Sequence, residues 1–249
     1  MLRSSHNRVA KRQAMLNANM RRQQALRGEL LLNISHDLRT PLTSVQGYLE
    51  TLVTKTPQLS AADLQQYLEV ALRQSQRAVR LTEGLFELAQ FETQEARPKF
   101  ERFCLQELAQ DVVQKFQFSA DLRQISIIVD FLPEIPAVEA DIGMIERALS
   151  ALFENVLLHT PQAGQITIVL ECEANRVWFS VWNNGAANAD RNLLAIFESE
   201  LPLPYHPGQD QIGLLIAKRI MQLHNAAIEL VNEPQGATFK FSLRALGMK

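Results

Sequence analysis

Apolar residues recur at steps of three and four between Leu31 and Leu52: Leu31, Ile34, Leu38, Leu42, Val45, Leu49 and Leu52. This spacing predicts a helix with an apolar seam, packed in a bundle. A second stripe follows at Leu64, Leu68, Ala71, Ser75, Ala78, Leu81, Leu85 and Leu88. The first helix should end near Lys55-Thr56-Pro57, and Ser60 with Asp63 forms a capping box that opens the second. Two helices with one apolar stripe each cannot close a core alone. Two copies make a four-helix bundle, so the sequence predicts a homodimer.

One polar pair interrupts the first seam. His36 falls between Ile34 and Leu38, and at about 100° per residue it points away from the seam, toward solvent. Asp37 follows it. An exposed histidine beside an acid on a rigid helix is a nucleophile with a base next to it. Read alone, the pair also fits a surface histidine with a solvated aspartate. Thr40 lies one turn after His36 on the same face. Pro41 inside the helix removes a backbone donor and clashes with the preceding turn, so a bend just past His36 is expected.

Composition narrows the class. A length of 249 residues allows one to two domains, and 47% apolar residues supply a real core. A net charge of −2 points away from nucleic acid as a partner. Cys104 and Cys172 are far apart and carry no metal-ligand pattern. They read as reduced, cytosolic residues, with a disulfide the minor alternative. No apolar run approaches the roughly twenty residues of a membrane span, and there is no signal-peptide pattern. Residues 1–28 are basic, with Arg3, Arg8, Lys11, Arg12, Arg21, Arg22 and Arg27 and no acid before Glu29. This stretch reads as a linker helix running into the His36 helix. It is either a juxtamembrane segment beside anionic lipid or a solvated terminus.

Past a polar hinge over Thr93 to Pro98 the pattern changes. Helices are expected over Leu105 to Phe116, Ala140 to His159 and Ile212 to Leu223. Strands are expected over Ile125 to Phe131, Ile166 to Glu171, Val177 to Trp182, Ala227 to Val231 and Ala237 to Leu243. Turns fall at Ala174-Asn175 and Pro234-Gln235-Gly236. Helices and mostly antiparallel strands in blocks give an α+β sandwich. The resulting organisation is a linker at 1–28, a helical-hairpin domain at 29–95 and a sandwich domain at 96–249.

His36-Asp37-Leu38-Arg39-Thr40-Pro41-Leu42 resembles the phosphoacceptor box of sensor histidine kinases, and the order of parts from about Glu29 to Leu243 is similar to that family. The resemblance implies a two-component signalling protein. His36 would take phosphate from ATP and pass it to an aspartate on the receiver domain of a response regulator, with Asp37 and Thr40 assisting. It also implies a dimer, and a second domain of the fold shared with gyrase-type and chaperone ATPases. The expected location is cytoplasmic, at the inner face of the membrane if an upstream segment exists. The family's usual upstream membrane-embedded sensor is either absent or outside this chain.

The resemblance extends to the nucleotide boxes. Asp141 to Thr160 is similar to the family's asparagine box, and Asn155 matches the residue that holds Mg2+ against the phosphates of ATP. Val181-Trp182-Asn183-Asn184-Gly185-Ala186-Ala187 resembles the first glycine box. There Asn183 stands where an aspartate meets the adenine amino group, and Gly185 is kept. Ile196-Phe197-Glu198 resembles the phenylalanine box, and Gln211-Ile212-Gly213-Leu214 the second glycine box, keeping Gly213 at a helix start that faces phosphates. The implied nucleotide residues are therefore Asn155, Asn183, Gly185 and Gly213, with Asn155 the metal ligand.

Against this pattern, Ala151 replaces an asparagine, Leu158 a cation, Asn183 an aspartate, Ala187 and Gln211 glycines, and Glu200 a phenylalanine. The Leu201 to Gly208 lid has three prolines and no Lys or Arg. The histidine box departs nowhere. Two functions follow. One is a kinase that phosphorylates its own His36. The alternative is a member with ATP and Mg2+ binding weak or lost, acting as phosphoacceptor, as regulator phosphatase or as dimeric scaffold. The intact His36-Asp37-Arg39-Thr40 set argues against a pure scaffold, which has no need of that chemistry.

Overall fold

A computed structural model of the chain describes residues 35–55, 59–92, 97–185, 197, 212–233 and 235–247. The basic stretch at 1–28, Leu31, Ile34, most of the hinge, the 201–208 lid, Ala187, Glu200 and Gln211 lie outside the described residues. The chain divides into two compact units, one ending at Thr82 and the next starting at Glu83.

The first unit is a helical hairpin. Helix α1 (35–55) runs unbroken through Pro41, which is buried. Helix α2 (Ala61–Glu92) opens on the expected box. Ser60 Oγ accepts from the Asp63 N–H at 3.2 Å, and the Ser60 N–H donates to Asp63 Oδ2 at 3.3 Å. Leu52, Ala71, Ala78 and Leu81 are buried, and the Tyr48 and Tyr67 rings meet at 5.5 Å.

The sequence stripes are only half covered. Leu42, Leu49, Leu68 and Ser75, expected inside, are exposed, as are Val53, Leu72 and Val79. The reason is geometric. A hairpin gives each helix one neighbour, which covers one flank of a wide apolar stripe and leaves the other open.

The second unit is a sheet with helices on one face. Five strands pair in the order β2-β4-β5-β7-β6: β2 (Ser126–Phe131), β4 (Gln165–Glu173), β5 (Arg176–Asn183), β7 (Gly236–Arg244) and β6 (Ile228–Glu233). The β2–β4 pair is parallel and the others antiparallel. Alternation sorts the side chains. Ile166, Ile168, Leu170, Val177, Phe179, Val181, Phe239 and Phe241 are buried on the helix side. Helices α3 (Leu105–Leu122), α4 (Ile142–His159) and α5 (Ile212–Leu223) cover that face, with Phe116 stacked on Phe153.

Two strands escaped the sequence reading. β1 (Glu101–Phe103) and β3 (Val138–Ala140) form a separate antiparallel pair. Helix α3 also continues past Phe116. Its last turns carry exposed Phe118 and Leu122, which blur the period. The Ala174-Asn175 turn forms as expected, with φ of 48° and 64°, the left-handed pair that suits a two-residue hairpin. Cys104 and Cys172 are free thiols.

The end of α2 belongs to this second unit. Gly84 lies where an added Cβ would stand 2.4 Å from Ile212 Cγ2, so the absence of a side chain lets α2 meet the start of α5. Glu87 accepts two hydrogen bonds from Arg147 Nε at 3.0 Å. Burial opposes the Arg147 charge, but the Glu87 hydrogen bond and the charges of Glu87, Glu154 and Glu83 more than offset it, leaving the guanidinium above its ordinary pKa.

Candidate active site

Helix α1 presents His36. The His36 side chain is 62% exposed, and Asp37 beside it is 3% exposed. His36 Nδ1 stands 3.6 Å from Asp37 Oδ1. A buried carboxylate on that side favours a hydrogen on Nδ1 and leaves the Nε2 lone pair outward. The Thr40 hydroxyl donates to the His36 carbonyl at 3.3 Å, so its oxygen lone pairs remain available to a water. The three residues picked from the sequence therefore lie within little more than one turn of one helix, His36 and Thr40 exposed and Asp37 buried between them and the interior.

Helix α4 organises the second set. Asp141 caps it: Oδ1 accepts from the Met144 N–H at 3.0 Å and Oδ2 from the Lys99 N–H at 2.8 Å. His224 braces the same cap. Its Nε2 accepts from the Asp141 N–H at 3.0 Å, and its Nδ1 faces the Ile220 carbonyl at 2.8 Å. These two contacts fix the neutral tautomer that carries hydrogen on Nδ1.

Ala151, Asn155 and His159 follow one another at four-residue steps along α4. Ala151 packs on α5, where a Cβ at Gly213 would stand 3.5 Å from its own Cβ. At the other end, a Cβ on Gly185 would stand 2.3 Å from the His159 carbonyl oxygen. Asn155 sits between these two glycine contacts and is only 9% exposed. Gly213 thus meets α4 at Ala151, and Gly185, two residues after Asn183, meets it at His159, on either side of Asn155 along the helix. Leu158, in the last turn, is 56% exposed.

Asn183 ends β5 and is 4% exposed. Its amide is oriented by two backbone groups. The oxygen accepts from the Gly185 N–H at 3.2 Å and the nitrogen donates to the Ala237 carbonyl at 3.3 Å. The reverse orientation sets oxygen against oxygen, so the network assigns this one.

Among the described residues no three His, Cys, Asp or Glu side chains converge to hold a metal. Asn155 supplies one neutral oxygen. That donor suits Mg2+ whose remaining ligands are phosphate oxygens and water, and it would not hold the bare ion.

Two supports had no sequence signal. Arg123, just past α3, donates from Nη1 to the Leu157 carbonyl and from Nη2 to the Thr160 carbonyl, satisfying the end of α4. The Asn184 side-chain oxygen accepts from the Gln165 N–H at 2.8 Å and so ties the glycine corner to β4.

Residues 26–94 match the His Kinase A (phospho-acceptor) domain, and residues 140–246 match the histidine kinase-, DNA gyrase B- and HSP90-like ATPase. The chain belongs to the sensor histidine kinases. Among curated relatives, it is similar to the alginate biosynthesis sensor protein KinB of Pseudomonas aeruginosa, 29% identical over 218 residues, which are 86% of this chain and 36% of that protein. It is also similar to the non-motile and phage-resistance protein of Caulobacter vibrioides, 25% identical over 232 residues, which are 87% of this chain and 27% of that protein. The chain thus spans about a third of the length of such relatives. The structure of Acinetobacter baumannii histidine kinase AdeS superposes with a TM-score of 0.67 at 22% identity, covering 85% of this chain and 98% of that one. Histidine kinase ThkA, solved in complex with response regulator protein TrrA, gives 0.74 at 24% identity, covering 91% and 64%. At these identities the structures establish the shared histidine kinase fold. No described helix is long and apolar enough to cross a membrane.

Proposed function

We propose that this chain is the transmitter portion of a sensor histidine kinase and works as a homodimer, with His36 passing phosphate to the receiver domain of a response regulator. The observation that carries the reading is the exposed His36 imidazole with its Nδ1 turned toward buried Asp37. ATP is the phosphoryl donor, and Asn155 would hold the Mg2+ that steadies its phosphates. His36 Nε2 attacks in line, an N–P bond forms as the bond to the ADP oxygen breaks, and the Nδ1 hydrogen stays on the side of Asp37. Asp37 stabilises the imidazolium charge that develops. Asn155, Asn183, Gly185 and Gly213 form the nucleotide cradle. A partner hairpin covers Leu42, Leu49, Val53, Leu72 and Val79, which are otherwise left in water. The location that fits is cytoplasmic, at the inner face of the membrane if a sensor segment precedes residue 1.

The test is labelling of the full chain with ATP carrying a labelled γ-phosphate. The label should be acid-labile and base-stable, and absent from His36→Gln. Label that persists in that variant places the acceptor elsewhere.

A second reading is favoured by Leu158, an exposed apolar side chain at the end of α4 where the family resemblance implies a cation. Losing a charge-assisted phosphate contact costs about 1.5–3 kcal/mol. On this reading ATP binds no better than millimolar. His36 is then charged by another kinase or by back-transfer from a regulator, and Thr40 positions water for regulator dephosphorylation. A magnesium–ATP titration of the full chain separates the two.

A further inference from the structure

The last turns of α2, from Glu83 on, belong to the second unit. They are fastened there at three places. Gly84 meets the start of α5, where a Cβ would stand 2.4 Å from Ile212 Cγ2 and 3.5 Å from Ile216 Cδ1. Glu87 pairs with Arg147 of α4, with Oε2 2.8 Å from Nη2. Glu83 and Glu154 add negative charge around the same guanidinium. Arg219, near the end of α5, donates from Nη2 to the Phe91 carbonyl at 3.3 Å. From Gly84 to Phe91 and from Ile212 to Arg219 the spacing is the same, so this end of α2 runs beside α5 in the same direction.

The contacts lead to the residues matched to the nucleotide boxes. Ile212 directly precedes Gly213, which packs on Ala151. Arg147 lies one turn before Ala151 and two before Asn155, on the same ridge of α4. Gly84 has no positive φ, so the position does not require glycine for its backbone. A glycine inside a helix is unfavourable relative to alanine. What the position requires is the missing side chain.

We propose that the end of α2 is a positioning element for the nucleotide site: Gly84 and the Glu87–Arg147 pair seat the first turn of α5, and with it Gly213, against α4. This rests on the reading of Asn155, Asn183, Gly185 and Gly213 as a nucleotide cradle. Backbone amides at a helix start serve a phosphate only where the turn that carries them is fixed. Ala151 backs Gly213 on one side, and α2 backs the neighbouring Ile212. Gly84 and Glu87 act through Ile212 and Arg147, without touching the nucleotide.

The experiment is hydrogen exchange of the full chain without nucleotide, with a magnesium–ATP titration of the same chains: wild type, Gly84→Ala, Glu87→Gln and Glu87→Arg. By helix geometry the Ile216 and Ala217 amides bond to the Ile212 and Gly213 carbonyls, so their exchange reports the first turn of α5. The amide of Phe179, buried in β5, reports the unit as a whole. Relative to Phe179, Ile216 and Ala217 should exchange about tenfold faster in Gly84→Ala and Glu87→Arg, and by less in Glu87→Gln. Alanine favours helix, so the Gly84→Ala effect does not come from a weaker α2. Magnesium–ATP affinity should fall in the same order, by about tenfold in the most affected chain. A general loss of stability speeds all three amides alike, and a ratio unmoved in every variant overturns the positioning role. A moved ratio with unchanged ATP affinity overturns it too. A moved ratio with no ATP binding by any chain, wild type included, overturns the cradle reading and leaves the hold of α2 on α5 standing. Glu87→Gln keeps the size of the side chain and an acceptor oxygen, and with Gly84→Ala it decides the matter if Glu87→Arg does not fold.

Discussion

Gly185 and His159 are in backbone contact: a methyl group on Gly185 would sit 2.3 Å from the His159 carbonyl oxygen. The end of β5 and the end of α4 are thereby locked at a distance only glycine permits. Asn183 on β5 and Asn155 on α4 lie two and four residues from that contact.

Gly185→Ala should therefore strain the corner, and the backbone has no flexible side-chain end to move aside. The expected loss is about 1–3 kcal/mol, the usual range for overpacking. Thermal unfolding of the full chain should show a lower midpoint for the ATPase unit, with the helical hairpin unaffected. An unchanged midpoint would mean that the α4–β5 contact is looser than described.

Arg123 should behave as a clamp on the same helix end. Arg123→Ala leaves the Leu157 and Thr160 carbonyls short of a donor and should cost about 1–3 kcal/mol. Arg123→Lys should recover only part of this, because one ammonium does not reproduce the two-pronged guanidinium. Chemical denaturation of the three chains gives the comparison, and full recovery by lysine would contradict a two-carbonyl role.

Lys218 on α5 gives a pH signature. Burial pushes its ammonium below the ordinary 10.5. At lower pH the group is charged in both folded and unfolded chains, and burying the charge costs stability. As pH rises toward 10.5 the folded chain gives up the proton before the unfolded one, so the cost is relieved and stability rises. Lys218→Met lacks this rise. The unfolding free energies of wild type and Lys218→Met should converge, or wild type should gain relative to the variant, between neutral pH and 10.5. Parallel curves would remove the assignment.

The open flank of the hairpin predicts association. Sedimentation of the full chain at micromolar concentration should give twice the chain mass. Val53, 83% exposed in the protomer, and Leu49 beside it should be covered in the pair. Leu49→Glu with Val53→Glu would bury two charges in an apolar seam and should shift the chain to monomer. A wild-type monomer would mean that another surface covers these residues.

Much of this was legible in the sequence because it is local. The two hairpin helices announce themselves by period, and Ser60 with Asp63 marks a start. His36, Asp37 and Thr40 lie within one helical turn and a half. The residues matched to the nucleotide boxes are different. Asn155, Asn183 and Gly213 come from α4, β5 and α5, and only their resemblance to known boxes gathers them. Arg123 and His224 were invisible because their partners are backbone groups 34, 37 and 83 residues away, and a backbone carbonyl or N–H has no residue identity to read. The strands β1 and β3 are three residues each, too short for alternation to register. The exposed half of the hairpin seams matches the expectation that one hairpin cannot close its own core, since periodicity reports apolar surface and not what covers it.

The pairing of Asn183 with Ala237 also sets an order of assembly. Strands β4 and β5 are joined by the two-residue turn at Ala174-Asn175, so they can pair as soon as both are made, at little loop-closure cost. The nitrogen of the Asn183 amide has no such early partner. Its carbonyl acceptor arrives with β7, after the whole of α5 and β6 has been synthesised. On a ribosome, this buried corner therefore closes only once the chain is nearly complete, and a nascent chain stalled before residue 237 would carry the His36 hairpin without it.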